Sequence, residues 1–266
     1  FNLADLVSYQ TKNNDQPYPF GPSDGGSDDN MSWDSGGDPA LRRQRLRNLW
    51  AILMLSRGVP MVVAGDEFGR TQNGNNNPWA LDSLAMRNNY AMIATNAPQR
   101  VAVEDGTGAA YHDNLGVFDS RDERVNPLFR FATFLMRLRH RHPALCRAAW
   151  GDLEAGGEDV SYLFRTPDGD GSPGEGDRAL AVHIDAPDDG FWVMINMSPD
   201  PVDFRVPAAG GGDVWRRLVD TAVGSEKDDN CWPEGEGEIV ADGVAVQPWS
   251  VVVWHRSPSP RPGAAR

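Results

Sequence analysis

Lysine, cysteine and long apolar runs are all scarce in this chain. Lys12 and Lys227 are the only lysines, so nearly all of the 25 cations are arginine; against 38 acids the formal charge is -13. Such a chain is repelled at long range by a phosphate backbone or an anionic bilayer, which excludes nucleic acid and membrane surfaces as partners and leaves neutral and cationic ligands open. The two cysteines, Cys146 and Cys231, stand far apart with no Cys-x-x-Cys or Cys/His spacing, so neither a zinc site nor a disulfide framework is indicated, and both read as buried thiols. No apolar run approaches the roughly 20 residues that span a bilayer. His112, His140, His142 and His183 have no ligand spacing to nearby acids and read as surface or core residues. There is no phosphate-cradling glycine loop, nucleophile elbow or His-Glu zinc motif, so no metal and no cofactor is expected. The first residues, "FNLADLVSY", include neither an initiator Met nor a signal-peptide pattern; the expectation is a piece of a longer, cytoplasmic protein.

What is present falls into two grammars. Residues 13–39 concentrate Gly, Pro, Asn, Asp and Ser and predict a long loop, ordered by Tyr18, Phe20 and Trp33. A helix follows, with Asp38 as N-cap, Pro39 at its first position, Leu46, Leu49, Trp50 and Leu53 on one buried face, and Gly58 as its stop. "VPMVVAG" then reads as a strand covered on both sides, as in parallel sheets flanked by helices. After an irregular region over 80–125, Asn126 and Pro127 repeat the cap-then-proline start, Leu128, Phe131, Leu135 and Leu138 repeat the stripe, and His142-Pro143 ends it. From there "VSYLFR", "ALAVHI", "FWVMINM", "VDFRV", "VWRRLV" and "SVVVWH" predict an antiparallel all-β domain of sandwich type. "PDGDGSPGEGD" reads as a solvated hairpin loop inside it and "SPSPRPGAAR" as a disordered tail.

The chemistry gathers in "GDEFGRTQNGNNNPW", residues 65–79, directly after the apolar run. Loops at the C-terminal ends of barrel strands carry active sites. Asp66 and Glu67 are neighbours whose side chains diverge, which makes them a poor version of the carboxylate pair, roughly 5 Å apart, that a retaining glycosidase needs. Arg70 offers planar donors, and Asn75, Asn76 and Asn77 offer donors and acceptors together, as sugar hydroxyls require. Asparagines also build left-handed turns, and the two readings stand level. "YPFGPSDGG" and "MSWDSGGDP" can form a lid whose aromatics stack on sugars, or a loop packed on itself.

"LVSYQTKNNDQPYPFGPSDGGSDDNMSWD", "MLSRGVPMVVAGDEFGRTQNGNNNPWALDS" and "RLRHRHPAL", in that order, resemble the C-terminal part of isoamylase and the related glycogen debranching enzymes of the α-amylase superfamily. The Gly-Asp-Glu strand end is common to many amylases; the Gly-Asn-Asn-Asn extension and the Gly-Pro-Ser-Asp-Gly-Gly loop are more specific. The resemblance implies the end of a (β/α)8 TIM barrel over 1–146, an antiparallel β-sandwich over 147–256 and a tail over 257–266, acting on branched α-glucan (glycogen, amylopectin) at its α-1,6 linkages with retention. It places strand eight at about 59–64, its substrate-facing loop next, and an addition at the barrel rim in the linker to helix eight. The family's nucleophile, acid/base and stabilising aspartate all precede the matched segment, so no catalytic residue is expected here and the missing barrel portion becomes the required partner. Glu67, Arg70, Asn75, Asn76 and Asn77 are then the candidate substrate-binding residues. A non-catalytic glucan-binding or scaffolding protein is the other reading.

Overall fold

Both predicted helix starts rest on the expected capping bonds. In a computed structural model that describes residues 1–14, 25–81, 86–102, 111–146, 160–240 and 242–259, the Asp38 carboxylate accepts the N–H groups of Ala40 (2.9 Å) and Leu41 (3.2 Å). The Asn126 side chain accepts those of Leu128 (2.9 Å) and Phe129 (3.2 Å). Each thereby satisfies donors that a helix start leaves open. The helices are α1 (Leu3–Leu6), α2 (Pro39–Leu55), α3 (Pro127–Arg141) and α4 (Pro143–Cys146). Short 3-10 turns punctuate the rest of the first half.

By contact density the chain divides into two compact units: Phe1–Trp50 with Met61–Leu135, and Ala51–Pro60 with Met136–Arg266. The division runs through α2 and α3.

The stripe of α3 is buried as its spacing predicts: Leu128, Phe131, Leu135 and Leu138 are all at 1% exposure or less. α2 departs from the expected single apolar face. Leu49 and Leu53 are only partly buried, while Arg42, Arg43, Gln44, Arg45, Arg47 and Asn48 are buried. The cause is the loops around its first turns, whose carbonyls need donors: Arg42 serves Asn114 (2.9 Å), Arg43 serves Leu115 (2.8 Å) and Arg45 serves Trp33 and Asp34 (3.0 and 2.9 Å).

A second departure concerns "VPMVVA". The segment has no ladder partner among the described residues, and Val59 and Met61 are 85% and 87% exposed. A strand is held by neighbours on its edges, and every ladder of the described residues is antiparallel and lies in the second unit.

The second unit contains β1 (Ser161–Arg165), β2 (Ala179–Ala186), β3 (Asp189–Asn196), β4 (Val202–Arg205), β5 (Asp213–Asp220), β6 (Ile239–Val240), β7 (Gly243–Val246) and β8 (Ser250–Pro258). One sheet has the order β1-β2-β3-β8-β5-β6; β4 and β7 form the other. Ala181, Trp192, Met194, Trp215, Val252 and Trp254 from the first share a core with Phe204, Val206 and Val246 on the side of the second. Asn196, fully buried, donates to the carbonyls of Val246 (3.0 Å), Gln247 (3.1 Å) and Asp200 (2.9 Å). The six predicted β runs all form strands; β6 and β7 go unread because two residues, and four beginning with glycine, carry too little alternation. "PDGDGSPGEGD" is the exposed β1–β2 connection. Ser257 and Pro258, assigned to the tail from composition, instead extend β8, pairing with Val214 and Asp213; 260–266 lie outside the described residues. Neither cysteine forms a disulfide, and neither is buried as expected: Cys146, the last residue of α4, is exposed and Cys231 is half-buried.

Candidate functional site

The loop after the apolar run turns at once. Gly65 (φ 103°) and Gly69 (φ 79°) bracket a 3-10 turn at Asp66–Phe68, and both take the left-handed backbone that glycine tolerates. A Cβ at Gly65 would stand 2.7 Å from Arg70 Cβ and from Asn88 Oδ1. The two adjacent carboxylates serve different backbone groups. Asp66 accepts the Leu3 N–H at the start of α1 (2.9 Å), and Glu67 accepts the Gly65 N–H (2.8 Å). Burial pushes the Asp66 carboxyl up to about 6, against the lowering effect of its backbone hydrogen bonds. Arg70 is 8% exposed and donates to the Met86 carbonyl.

The asparagine run is used by the protein itself. Asn75 is 2% exposed, and its side-chain oxygen accepts the Asn77 N–H (2.8 Å). Asn76 donates to the Ser27 carbonyl and to Asn30 Oδ1 (2.8 Å each), and accepts from Asn14 Nδ2 (2.9 Å). Its N–H meets Asn14 Oδ1 (3.1 Å). These bonds tie residues 75–77 to 14 and 27–30, so the side-chain groups of Asn76 hold the loop before any ligand arrives. Residues 18–24 of "YPFGPSDGG", read as part of a lid, lie outside the described residues, as do 85 and 103–110 of the rim addition over 85–126. Directly after the asparagines, the Pro78–Ala80 turn leaves the Trp79 side chain 92% exposed.

Beneath the loop lies a polar network that the sequence did not single out. Asp5, fully buried, accepts from the Thr71 hydroxyl and the Gln72 N–H (2.8 Å). Burial pushes its carboxyl up to about 6 although both bonds oppose the shift. Asn73 (φ 57°) accepts the His112 N–H (2.8 Å). The Tyr9 hydroxyl lies 2.5 Å from His112 Nδ1 and accepts from Asn114 (3.0 Å). Desolvation raises Tyr9 to about 12 and lowers His112, which favours a neutral imidazole accepting the tyrosine proton bond. Gln99 closes the network, accepting the N–H groups of Asn114 (2.9 Å) and Leu115 (3.0 Å) and donating to the Gly69 carbonyl (3.1 Å). Single polar residues separated by dozens of positions leave no local pattern. Only the density of Asn and Gln around the loop was visible.

No protein-family profile matches the chain. An isoamylase of Flavobacterium sp. is 34% identical over 248 residues, which cover 91% of this chain and 28% of that protein. A glycogen operon protein GlgX homolog of Mycobacterium tuberculosis is 30% identical over 250 residues, 83% of this chain and 30% of that one. Isoamylase 1 (chloroplastic) of Arabidopsis thaliana is 43% identical over 148 residues, 52% of this chain. Among solved structures, pullulanase from Bacillus acidopullulyticus covers 84% of this chain with a TM-score of 0.50 at 18% identity. The chain thus spans under a third of the length of the curated relatives named here. Over some nine-tenths of its own length it is homologous to the isoamylases, and it is likewise related to the GlgX homologues.

Proposed function

We propose that the chain is the C-terminal part of a debranching glycoside hydrolase that cleaves α-1,6 linkages of glycogen or amylopectin with retention. Residues 1–146 would complete a (β/α)8 barrel, with 59–64 as its last strand, and 147–256 would form the β-sandwich that follows it in the chain. The exposed apolar edge at Val59–Val63 supports this reading, since a barrel strand left without neighbours exposes such side chains. The nucleophile and acid/base would come from the rest of the barrel, because Asp66 and Glu67 are each engaged with a backbone N–H.

The observation that carries the substrate assignment is Trp79. It is a 92% exposed indole at the end of a loop pinned by its own asparagines, and a flat aromatic face is what the apolar side of a glucose unit stacks on. Within the candidate set, Asn75, Asn76 and Asn77 would hold the loop and Arg70 and Glu67 its base, so their effect on glucan passes through the loop's shape. The test uses the whole protein encoded by the gene. Trp79→Ala should weaken binding of a branched dextrin roughly 3-fold to 10-fold, from about 0.5–1.5 kcal/mol of aromatic contact, with Tm unchanged. Asn76→Ala should lower Tm first. Unchanged affinity in Trp79→Ala removes the loop's binding role. Glucan binding by a whole protein that releases no reducing ends from amylopectin supports the non-catalytic reading instead.

A further inference from the structure

In the second unit, three chain-distant residues converge where α3 ends. His142 lies between α3 and α4 and is 8% exposed. Asp189 stands 47 positions further on, at the first position of β3, and His255 another 66 beyond it, on β8. His142 Nδ1 is 2.9 Å from Asp189 Oδ2, and His255 Nε2 is 3.0 Å from Asp189 Oδ1. One donor atom from each residue lies within 4.8 Å of the other two. The fully buried Phe191 lies against both imidazoles, with ring centroids 5.0 Å from each.

We infer that His142, Asp189 and His255 form a binding site for a divalent transition-metal ion of the Zn²⁺ class. Tetrahedral Zn²⁺ with nitrogen and oxygen ligands at about 2.0–2.1 Å requires donors roughly 3.3 Å apart. The two His–Asp separations, each to a different oxygen of the carboxylate, are within a few tenths of an ångström of that spacing, and with every pair of donor atoms inside 4.8 Å small side-chain rotations close the set around one ion. Two imidazoles and one carboxylate make a three-ligand set that leaves a fourth position for water or another ligand, and this N/O mixture suits Zn²⁺ over Mg²⁺ or Ca²⁺.

The outward nitrogens carry the argument further. His142 Nε2 faces Glu234 Oε1 at 3.4 Å, and Arg141 holds that same oxygen through Nε (2.9 Å) and Nη2 (2.5 Å). His255 Nδ1 faces the Ser257 hydroxyl at 3.4 Å. The Ser257 hydroxyl is at hydrogen-bond distance and can set the tautomer of His255, while His142 Nε2, without a hydrogen bond, has the Glu234 carboxylate beside it as the group that would accept its N–H after a small ring rotation. The Gly190 N–H (2.9 Å) bonds the Asp189 carboxylate as well, fixing its plane.

The proton account is consistent with an exchange between protons and metal. The imidazole nitrogens that face Asp189 at hydrogen-bond distance are the ones a cation would take, and each must lose its proton to bind. A cation replaces the Nδ1 proton of His142, which leaves to solvent. It also requires the Nε2 proton of His255 to move to Nδ1, toward Ser257. Affinity should therefore fall on acidification.

The experiment titrates Zn²⁺ into the full chain by calorimetry in a non-chelating buffer, at pH 7.5 and pH 5.5, and repeats the titration with Co²⁺ while recording visible absorption. The expected result is one equivalent bound, affinity at least 10-fold weaker at pH 5.5, and the intense absorption of four-coordinate Co²⁺. His255→Gln, which can keep a neutral hydrogen bond to Asp189, should abolish stoichiometric binding with the circular dichroism unchanged; Glu234→Gln should weaken it roughly 10-fold to 100-fold. No binding tighter than about 100 μM, the weak absorption of six-coordinate Co²⁺, or binding that survives His255→Gln would overturn the site. The Co²⁺ spectrum of the unaltered chain distinguishes these outcomes even if a variant fails to fold.

Discussion

The two compact units bury polar groups in opposite ways. In the first, Asp5 and Asp66 are carboxylates whose burial outweighs their hydrogen bonds, so both are pushed up to about 6. In the second, burial also opposes the charge of Asp189, but two imidazoles overcome it and hold its carboxyl far below the usual range. The first unit gathers irregular backbone around polar side chains that supply the hydrogen bonds no ladder provides. The second satisfies its backbone by antiparallel pairing and leaves side chains to fill an apolar core. A loop-built site thus has to bury many costly groups, whereas the sheets need few, such as Asn196 where their strands end.

The contrast is tested most severely by truncation on each side. Phe204→Ala removes a ring that is 1% exposed from the core shared by the two sheets and should cost about 3–5 kcal/mol, read by denaturant unfolding. In the first unit the matching loss comes from a polar side chain. Asp5→Ala strands the Thr71 hydroxyl and the Gln72 N–H in a buried site, roughly 2–4 kcal/mol for two unmet groups, while Asp5→Asn keeps one acceptor and should cost less. Equal costs for the Ala and Asn variants would mean that Asp5 matters by volume alone.

Acidity separates the units next. A carboxyl raised from 3.8 to about 6 binds its proton more tightly in the folded state. Its contribution is fully present below pH 3.8 and lost as pH rises through about 6. Asp189 has the opposite sign: its contribution is present above 3.8 and is lost as pH falls through its depressed value. His142, raised above 6.5, contributes fully below 6.5 and loses that contribution as pH climbs through its folded value. Between pH 4.5 and 7, protection of amides in residues 3–9 and 66–76 should therefore fall by roughly 2–3 kcal/mol, after correction for intrinsic exchange. Amides of β3 and β8 should hold. Parallel loss in both sets would show that the units open together.

The same contrast explains what could be read in advance. The six longer β runs and the stripe of α3 repeat at short intervals, so Trp192, Val253 or Leu135 announce their burial through near neighbours. The site does not repeat. Asp5 meets Thr71 66 positions away, and His142 meets Asp189 across the whole start of the β region. Residue types in the 65–79 loop flagged chemistry, yet whether Asn76 served ligand or loop depended on Asn14, Ser27 and Asn30, contacts that no spacing encodes. The fate of "VPMVVA" was equally invisible, since an apolar run specifies that it will be covered and not by what.

The smallest expected effects come from the two helix caps, which look alike in sequence and differ in surroundings. Asn126 is fully buried; besides capping α3 it donates to the carbonyls of Phe68 (2.9 Å) and Met92 (3.0 Å), so it closes a backbone gap of the kind Asp5 closes. Asn126→Ala leaves two carbonyls and two N–H groups unmet and should cost about 2 kcal/mol, the upper end for a cap. Asp38 is exposed and bonds only the first-turn N–H groups, which water reaches once the carboxylate is gone. Asp38→Ala should cost about 0.5–1 kcal/mol, and Asp38→Asn less than that, because the amide oxygen still accepts. If thermal unfolding shows the two alanine variants shifted equally, the bonds of Asn126 to Phe68 and Met92 add nothing. The first unit would then owe its stability to its helices and not to the polar side chains between them.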